Sequence, residues 1–344
     1  MSTLIWHDPE WQQQAHAWIR SEAARNQLQL VGEIEQPHAV HWSTVMRVPT
    51  NRGIIFFKAT ASETVYEIAL TQLLASLQPN VVPELIAVDT TRGWMLMRDG
   101  GEQLRASTRP TQDVRAWEPV IIEYAKLQMG LAEHADAILA LGVPDHRLAA
   151  LPALYSQLLA DTPSLMLDQE KGLTSAEFEQ LQNMRPRFEQ ICVDLAAYGI
   201  PESINHGDFH DGNVLLKNGR ITFFDWGDAD VTHPFVSLRT WFVSMEITLN
   251  LDDWAPPTAE MSRLLEKYLE AWQAYGEKEA LMSAYRLSRP VASIVKTLAW
   301  HQGISRMDDS LRGEYAWIVP NLLQEFRSEE HTSELQLLTN LVCR

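Results

Sequence analysis

The sequence has few cysteines, no long apolar run and no signal-like beginning. Its two cysteines, Cys192 and Cys343, are too few for a disulfide framework or a cysteine metal site. No run of 18 apolar residues occurs. The first ten residues include Asp8 and Glu10, whereas a secretory signal has basic and then apolar residues. We therefore expect a cytoplasmic chain without a membrane span.

Positive charge is also scarce. There are 28 Lys and Arg residues against 45 Asp and Glu residues, a net charge of −17. Such a chain repels phosphate backbones and anionic lipids, which argues against nucleic acid and membrane as partners. The charge is compatible with a cationic small-molecule partner, although acidic surfaces also serve solubility alone. The 344 residues, 46% hydrophobic, can build two sizeable cores. The composition does not fix the oligomeric state.

Two short acidic segments carry the most specific pattern in the chain. The first is His206-Gly-Asp-Phe-His-Asp-Gly-Asn213, and the second is Phe224-Asp-Trp-Gly227. Asp208 and Asn213 have the spacing found in the catalytic loop of protein kinases, and the second segment matches their D-F-G motif. The alternative is a solvated acidic loop beside an ordinary hairpin. The combined pattern indicates phosphoryl transfer.

A tight hairpin is predicted between the two segments. Residues 214–217 and 220–224 are short apolar runs, and Asn218-Gly219 lies between them. Asn-Gly in this context is a strong hairpin signal, because both turn residues adopt positive φ. The hairpin would bring Asp225 back beside Asn213. A carboxylate and an amide oxygen suit Mg²⁺, which also keeps water and phosphate ligands.

Residues 206–227 resemble the catalytic segment of the aminoglycoside phosphotransferase and choline kinase superfamily. The resemblance implies an α+β, protein-kinase-like fold with two lobes. The N-lobe, residues 1–98, would hold an antiparallel sheet and bind ATP. The C-lobe, residues 99–326, would be larger and mainly helical. The implied activity is transfer of the γ-phosphate of ATP to a hydroxyl of a small molecule, with ATP and Mg²⁺ as cofactors.

The resemblance also assigns roles to the residues of the motif. Asp208 would be the catalytic base, and His206 and His210 would be further catalytic residues in the same loop. Asn213 and Asp225 would bind the metal.

An upstream lysine fits the ATP site that this fold implies. Residues 52–59 are rich in β-formers and contain Lys58, which resembles the strand lysine that neutralises ATP phosphates and pairs with a helix Glu. Glu63 and Glu67 both lie on the following helical pattern, and we prefer Glu67. The alternatives are a strand-end lysine that reaches solvent and a solvated helix face.

The remaining nucleotide contacts are assigned by position. A flexible break at 99–101 would be the hinge between the lobes, so Met97 and Asp99 are candidates for the adenine contact. No G-x-G-x-x-G pattern precedes Lys58, and we place the phosphate turn at 42–45, with Ser43 and Thr44 as candidate contacts.

Two further features depart from the expected pattern. Family members commonly carry an Asp twelve residues after the metal-binding Asp, which here is Ser237, so we expect a weaker brace on the catalytic loop. Residues 327–344 begin with a stretch that resembles the translation of a common sequencing adapter, and we expect this tail to be non-native.

The acceptor pocket is expected between Asp208 and the late helices. Several residues could receive ammonium groups or stack on a cation or sugar, although helix caps and core packing are the alternatives for each: Asp228, Asp230, Glu246, Asp252, Asp253, Trp226, Trp241 and Trp300. Three functions remain open. They are an aminoglycoside-type kinase, a choline, ethanolamine, sugar or homoserine-type kinase, and a nucleotide-binding protein with little catalysis.

The helical pattern predicts three long helices besides the late ones. They cover Pro9–Asn26, then 111–141 with one break, and 175–198 with a kink at Pro186.

Overall fold

The computed structural model of the chain describes residues 4–61, 64–252, 255–307 and 309–328. Its first part combines one antiparallel sheet with two helices. Helix α1 (Pro9–Arg25) begins where predicted, because the side chain of Asp8 accepts hydrogen bonds from the backbone N–H groups of Glu10 and Trp11. Pro9 occupies the first helical position, where no backbone N–H is needed.

The sheet contains five strands in the order β1-β2-β3-β5-β4, and every neighbouring pair is antiparallel. Helix α2 (Tyr66–Leu77) lies between β3 and β4 in the chain. The strands are β1 (Glu35–Ala39), β2 (Ser43–Thr50), β3 (Gly53–Thr60), β4 (Leu85–Asp89) and β5 (Trp94–Arg98). The predicted division at residues 98 and 99 falls directly after β5.

The two faces of the sheet pack against different partners. Phe57 and Leu96 lie in one buried cluster with Ile19 of α1. Met95 and Met97 lie in another with Ile68 of α2. This alternation follows from the two-residue period of a strand, and it places Lys58, the neighbour of Phe57, on the face turned towards α2.

The second part is mainly helical and larger. Its helices surround one extensive buried core that includes Trp117, Tyr124, Phe209 and Trp241. The elements are β6 (Glu102–Gln103), α3 (Arg105–Thr111), α4 (Trp117–Leu131), α5 (Ala135–Leu139), α6 (Leu151–Ala160), α7 (Ser175–Asn183), α8 (Arg185–Ala196), β7 (Ser203–Asn205), β8 (Val214–Lys217), β9 (Arg220–Phe223), β10 (Asp230–Thr232), α9 (Leu238–Leu249), α10 (Ala259–Glu270), α11 (Lys278–Ser305), α12 (Asp309–Tyr315) and α13 (318–328). The predicted α+β fold with two lobes is confirmed.

The predicted hairpin is present. Strands β8 and β9 pair in register from Val214 with Phe223 to Lys217 with Arg220. Asn218 and Gly219 connect them with φ values of 53° and 77°, as a turn with two positive φ angles requires. The hairpin therefore places Asn213 beside Phe224, and the backbone N–H of Phe224 donates to the carbonyl of Asn213 at 3.2 Å.

Two of the predicted helices have different bounds. The helix predicted from residue 111 begins at Trp117, because Gln112 is left-handed and ends the separate short helix α3. The helix predicted over 175–198 is two helices, α7 and α8, which meet at Met184. Pro186 lies in the first turn of α8, where proline is tolerated, so it begins a helix and does not kink one.

Among the helices of the described residues, none is both long and apolar enough to cross a bilayer. The predicted non-native tail remains a prediction. Arg327 lies in α13 and pairs with Glu177 at 2.9 Å, and residues 329–344 are outside the described residues.

Candidate active site

A cavity of about 530 Å³ lies between the sheet and the helical lobe. The N-lobe contributes Ser43 and Lys58 to its lining, and the C-lobe contributes Asp208 and Asp225. Helix α11 closes one side with Lys296, Ala299, Trp300 and Gly303. The cavity thus brings together the strand lysine and both acidic segments, which are far apart in the sequence.

Lys58 pairs with one carboxylate from each lobe. Its Nζ lies 2.6 Å from Oε1 of Glu67 and 2.5 Å from Oδ1 of Asp225. Burial would lower the pKa of Lys58, but the charges of Asp225 and then Glu67 outweigh it and raise that pKa above its ordinary value. Lys58 therefore stays charged. The preferred partner, Glu67, is the one that Lys58 meets, whereas Glu63 lies outside the described residues.

Glu67 also holds the segment that contains Asp225. Its Oε1 accepts from the backbone N–H of Trp226 at 3.1 Å. The neighbouring Tyr66 donates from its hydroxyl to the carbonyl of Gly227 at 2.5 Å. Burial raises the pKa of Glu67 to about 7, against the charge of Lys58. Helix α2 thus fixes the position of the second acidic segment.

Asp225 has an unusual backbone conformation. Its φ of 66° and ψ of 62° lie in the left-handed region, which costs energy for a residue other than glycine. The contacts that Lys58, Tyr66 and Glu67 make with this segment offset that cost. Lys58 also lowers the pKa of Asp225, against the effect of burial, so the carboxylate stays ionised.

The two carboxylate oxygens of Asp208 have different surroundings. Oδ2 lies 3.1 Å from Nε2 of His210 and 3.2 Å from Nδ2 of Asn213. Oδ1 lies 3.9 Å from Nζ of Lys296, beyond hydrogen-bond distance. Burial would raise the pKa of Asp208, but the hydrogen bond from His210 and then the charge of Lys296 lower it below its ordinary value. Oδ1 is therefore the oxygen that can accept a hydrogen bond from a donor in the cavity.

The protonation pattern of His210 follows from its partners. Nδ1 lies 3.1 Å from the guanidinium of Arg105 and 2.9 Å from the backbone N–H of Gly212. Both partners can only donate, so Nδ1 is the acceptor and the ring proton is on Nε2. Nε2–H then donates to Asp208. His210 orients the carboxylate of Asp208 and need not exchange a proton itself.

His206 differs from the prediction, because it does not reach the cavity. It is fully buried, and its Nε2–H donates to the carbonyl of Phe224 at 2.9 Å. Burial lowers the pKa of His206 to about 4, so its ring is neutral at pH 7. His206 thus links the catalytic loop to the segment of Asp225, and its buried position does not favour the predicted catalytic role.

Gly207 is required by its surroundings. Its φ is 72°, and a Cβ atom at this position would lie 1.9 Å from the carbonyl oxygen of Asp228. A side chain would displace either the catalytic loop or the second acidic segment, so the close contact of these two backbones depends on glycine.

The predicted metal ligands fit magnesium in their chemistry. The hairpin brings Asn213 and Asp225 to the same end, and they offer one amide and one carboxylate oxygen. Nδ2 of Asn213 donates to the carbonyl of Asp208 at 2.9 Å, which leaves its Oδ1 as the ligand atom. The described residues contain no group of three or more His, Cys, Asp or Glu side chains placed for a metal. Such a group is not needed by an ion that takes its other ligands from phosphate and water.

Ser43 and Thr44 are neighbours on β2, so their side chains point to opposite faces of the sheet. Ser43 lines the cavity, as expected. Thr44 is fully buried, and its hydroxyl donates to the carbonyl of His38 at 2.8 Å and accepts from Gln36. The hydroxyl of Thr44 is thus engaged within the fold, which does not favour the predicted phosphate contact. Trp42, which precedes Ser43, lines the cavity.

The hinge candidates lie outside the lining of the cavity. Met97 is inside β5, with strand neighbours on both sides at Phe56 and Leu85, and its side chain is buried under the sheet. Asp99 accepts from the backbone N–H of Gly101 at 2.9 Å and from Lys217. Both residues remain predictions as adenine contacts, and the buried position of Met97 does not favour a side-chain contact.

The acceptor candidates separate into two groups. Asp228 and Trp300 line the cavity. Trp226 and Trp241 are fully buried, and Asp230 is buried against His146 and Asn205, so these three belong to the core. Glu246 and Asp252 do not line the cavity, and Asp253 lies outside the described residues.

A neutral hydrogen-bond chain stands where an Asp was expected at position 237. The backbone N–H of His206 donates to the hydroxyl of Tyr124 at 3.0 Å, and that hydroxyl lies 2.8 Å from Oγ of Ser237. Ser237 donates to Asn205 at 2.7 Å, so Tyr124 must donate to Ser237. The ring of Tyr124 also stacks on Phe209 with centroids 3.9 Å apart. The catalytic loop is braced without a charge.

Sequence reasoning missed Tyr124 and Lys296. Tyr124 lies within a helical apolar pattern that indicates only core, and Lys296 is one lysine in a long helix. Their local sequence contains no signal for a role at the catalytic loop, because both reach it through long-range packing.

The fold and the site together define a kinase-like phosphotransferase. A sequence profile of the phosphotransferase enzyme family matches residues 43–281. The chain belongs to this family, and it is a small-molecule kinase. A search of curated proteins found no match.

Solved structures share the fold at low sequence identity. A choline/ethanolamine kinase family protein from Mesorhizobium loti has a TM-score of 0.61 and 15% identity, covering 94% of this chain and 96% of its own. Plasmodium vivax ethanolamine kinase has a TM-score of 0.63 and 11% identity, covering 94% and 91%. The ternary complex of streptomycin, ATP and APH(2″)-IIa has a TM-score of 0.56 and 16% identity, covering 94% and 97%.

Proposed function

We propose that this kinase transfers the γ-phosphate of ATP to a hydroxyl of a small amine-bearing compound, with Asp208 as the catalytic base. The observation that carries the proposal is that Lys58, Asp208 and Asp225 line one cavity and that Asn213 is hydrogen-bonded to Asp208. These are the parts that phosphoryl transfer needs: a base for the acceptor, ligands for a metal and a cation for the phosphates.

Each side chain has one task in this mechanism. Lys58, held by Glu67, binds phosphate oxygens of ATP. Oδ1 of Asp208 accepts the hydrogen bond of the acceptor hydroxyl, orients it towards the γ-phosphate and receives its proton. His210 and Asn213 hold Oδ2, so that the carboxylate keeps one orientation. The low pKa of Asp208 suits this role, since the carboxylate must be ionised to accept the proton.

Magnesium belongs at Asn213 and Asp225 in the proposal. When bound, the ion would neutralise negative charge on the β- and γ-phosphates. The left-handed backbone of Asp225 and its ties to α2 fix its carboxylate for this purpose.

The acceptor is proposed to be cationic and partly apolar. The cavity presents the carboxylate of Asp228 together with the rings of Trp42 and Trp300. An ammonium group can interact with both a carboxylate and an aromatic face. Aminoglycoside-type compounds and amino alcohols both fit this description. Streptomycin in one structural relative and ethanolamine in the name of another motivate the choice of compounds to test.

The deciding experiment measures MgATP binding by calorimetry and then turnover with a panel of hydroxylated amines and sugars. We expect Asp208→Asn to reduce turnover by about 100-fold or more, since general base catalysis contributes about 10²- to 10⁴-fold. ATP affinity should stay nearly unchanged. Asp225→Ala should instead weaken ATP binding in the presence of magnesium and have little effect in EDTA.

The exposed carboxylate of Asp136, paired with Arg147 away from the cavity, provides the matched control. Asp136→Asn should leave both binding and turnover unchanged. An Asp208→Asn enzyme that keeps full turnover would disprove the role of the base. MgATP binding without turnover on any compound of the panel would favour the nucleotide-binding alternative.

A further inference from the structure

Lys296 is a cation beside the catalytic loop that the known motifs do not include. It lies in α11, and its Nζ donates to the carbonyl of Gly207 at 2.9 Å. The same Nζ is 3.9 Å from Oδ1 of Asp208. Its side chain is 19% exposed and lines the cavity. The bond to Gly207 thus holds the ammonium group near Oδ1 of Asp208.

The hydrogen bonds of Lys296 leave donors for a ligand. An ammonium group has three N–H donors, and among the described residues Nζ has one hydrogen-bond acceptor, the carbonyl of Gly207. Lys58, by contrast, already contacts two carboxylates. Lys296 therefore has more capacity than Lys58 to bind an anion that enters the cavity.

The chain also needs a donor at this position. Negative charge spreads over the equatorial oxygens of the phosphoryl group during transfer, and donors already in place stabilise it. A glycine-rich loop, which could supply backbone N–H donors from the N-lobe, is missing before Lys58. The transferred group must pass close to Asp208, because that residue holds the attacking hydroxyl. Lys296 lies next to this point, with its Nζ 3.9 Å from Oδ1 of Asp208.

We propose that Lys296 is a catalytic residue that contacts the phosphoryl group during transfer. This inference rests on the proposed function. In the step, the bond from the γ-phosphorus to the bridging oxygen of ADP breaks as the bond to the acceptor oxygen forms. The acceptor proton passes to Oδ1 of Asp208, and ADP takes the electron pair of the broken bond. Nζ of Lys296 donates hydrogen bonds to the equatorial oxygens.

The test uses a transition-state mimic, so that the acceptor need not be known. MgADP with aluminium fluoride imitates the nucleotide and the phosphoryl group in transfer. Calorimetry compares the affinities of MgADP alone and MgADP with fluoroaluminate for wild type, Lys296→Met and Lys296→Arg. Lys126→Met is the matched control, since Lys126 is a helix lysine paired with Glu123 on the surface.

Wild type and Lys126→Met should bind the fluoroaluminate complex more tightly than MgADP. Lys296→Met should lose at least tenfold of this added affinity and keep its affinity for MgADP and its melting temperature. Lys296→Arg should recover part of the loss, since it keeps the charge. Turnover of Lys296→Met should fall about 100-fold, the scale of losing one transition-state donor.

Three results would overturn the inference. Full fluoroaluminate binding by Lys296→Met would show that the ammonium does not contact the transferred group. If Lys296→Met weakened MgADP binding as much as fluoroaluminate binding and also lowered the melting temperature, Lys296 would only anchor the loop through Gly207. If the wild type did not bind MgADP at all, the proposed function would be refuted as well. The failure of the proposed function can thus be told apart from a failure of the Lys296 proposal alone.

Discussion

Buried histidines are the residues whose charge depends most on folding. His233 is fully buried at the start of the short helical turn before α9. Its Nδ1 accepts from the backbone N–H of Phe235 at 3.3 Å, so its ring proton is on Nε2. Burial lowers the pKa of His233 to about 3. In the unfolded chain, where the pKa of His233 is near its ordinary 6.5, the ring binds a second proton more readily.

Acid should therefore destabilise the fold through His233. Between pH 6.5 and 3 the unfolded state binds more protons than the folded state, so stability rises with pH in this window. For this one residue, the free energy of unfolding should fall by about 2 to 3 kcal/mol between pH 7.5 and 4.5. Urea unfolding at several pH values measures the slope.

His233→Asn supplies the comparison for this prediction. Asn can still accept from Phe235 at the helix start, but it does not titrate in this range. Between pH 6.5 and 4.5, the free energy of unfolding of the variant should therefore depend less steeply on pH than that of the wild type, by the equivalent of about one proton. Equal slopes in the variant and the wild type would show that His233 does not carry the effect.

At the residue scale, the sequence predicted the groups that stand at fixed local spacing. Asp208 and Asn213 share one loop, and Asn218-Gly219 sets the turn that returns the chain to Asp225. Lys296 could not be predicted, because its contact with Gly207 joins positions 89 residues apart. The buried position of His206 could not be predicted, because spacing does not tell which side chains of a loop turn inwards.

At the element scale, helix α4 stabilises the catalytic loop on the side that faces the core, through Tyr124. The hydroxyl of Tyr124 joins the backbone of His206 to Ser237, and its ring stacks on Phe209. These contacts lie within a fully buried environment, where a polar group without a partner is costly. The loop position therefore depends on α4 although α4 contributes no residue to the lining of the cavity.

Tyr124→Phe should loosen this brace. The change removes one hydroxyl and leaves the N–H of His206 without its acceptor, which should cost about 1 to 3 kcal/mol of stability. Turnover should fall more than ATP affinity, because the loop carries Asp208. Denaturant unfolding and steady-state kinetics measure both effects.

Tyr275→Phe is the control for the loss of a tyrosine hydroxyl, since Tyr275 is 40% exposed. It should change neither quantity. Wild-type stability in Tyr124→Phe would mean that water or another group replaces the hydroxyl, and that the brace is not needed.

The sequence predicted the strands better than the helix ends. Strand β8 was predicted with its observed bounds, because a short apolar run before an Asn-Gly turn signal has few other interpretations. The helix at 117–131 was predicted to begin at residue 111. Gln112 adopts the left-handed conformation that ends α3, although glutamine has no special preference for it, so the local pattern does not signal this helix end.

At the scale of the whole molecule, the two lobes meet on both sides of the cavity. Lys58 contacts Asp225 on one side. On the other, Trp42 of the N-lobe turn meets Tyr315 of α12 with ring centroids 6.3 Å apart, and Tyr315 stacks on Trp300. The two-lobe arrangement was predicted from the catalytic motif, but this aromatic contact was not, since its three rings come from distant segments.

Trp42→Ala should weaken acceptor binding more than ATP binding. The change removes a ring that lines the cavity and the contact with Tyr315, so the KM for the acceptor should rise about tenfold or more, the scale of losing one cation–aromatic contact together with its packing. Initial-rate kinetics with the best compound of the panel give both KM values.

Trp317→Ala is the matched control, because Trp317 is exposed to a similar degree, 41% against 43%, and does not line the cavity. It should leave both KM values unchanged. A rise in the KM for ATP alone after Trp42→Ala would place the ring at the nucleotide and not at the acceptor.

The contact between Trp42 and Tyr315 also bears on the pace of the catalytic cycle. If a bulky compound enters on this side, the two rings must part to admit it and part again to release its phosphorylated form. The rate at which the two rings separate would then limit turnover, however fast the phosphoryl transfer itself is. Compounds of different size could show similar maximal rates for that reason.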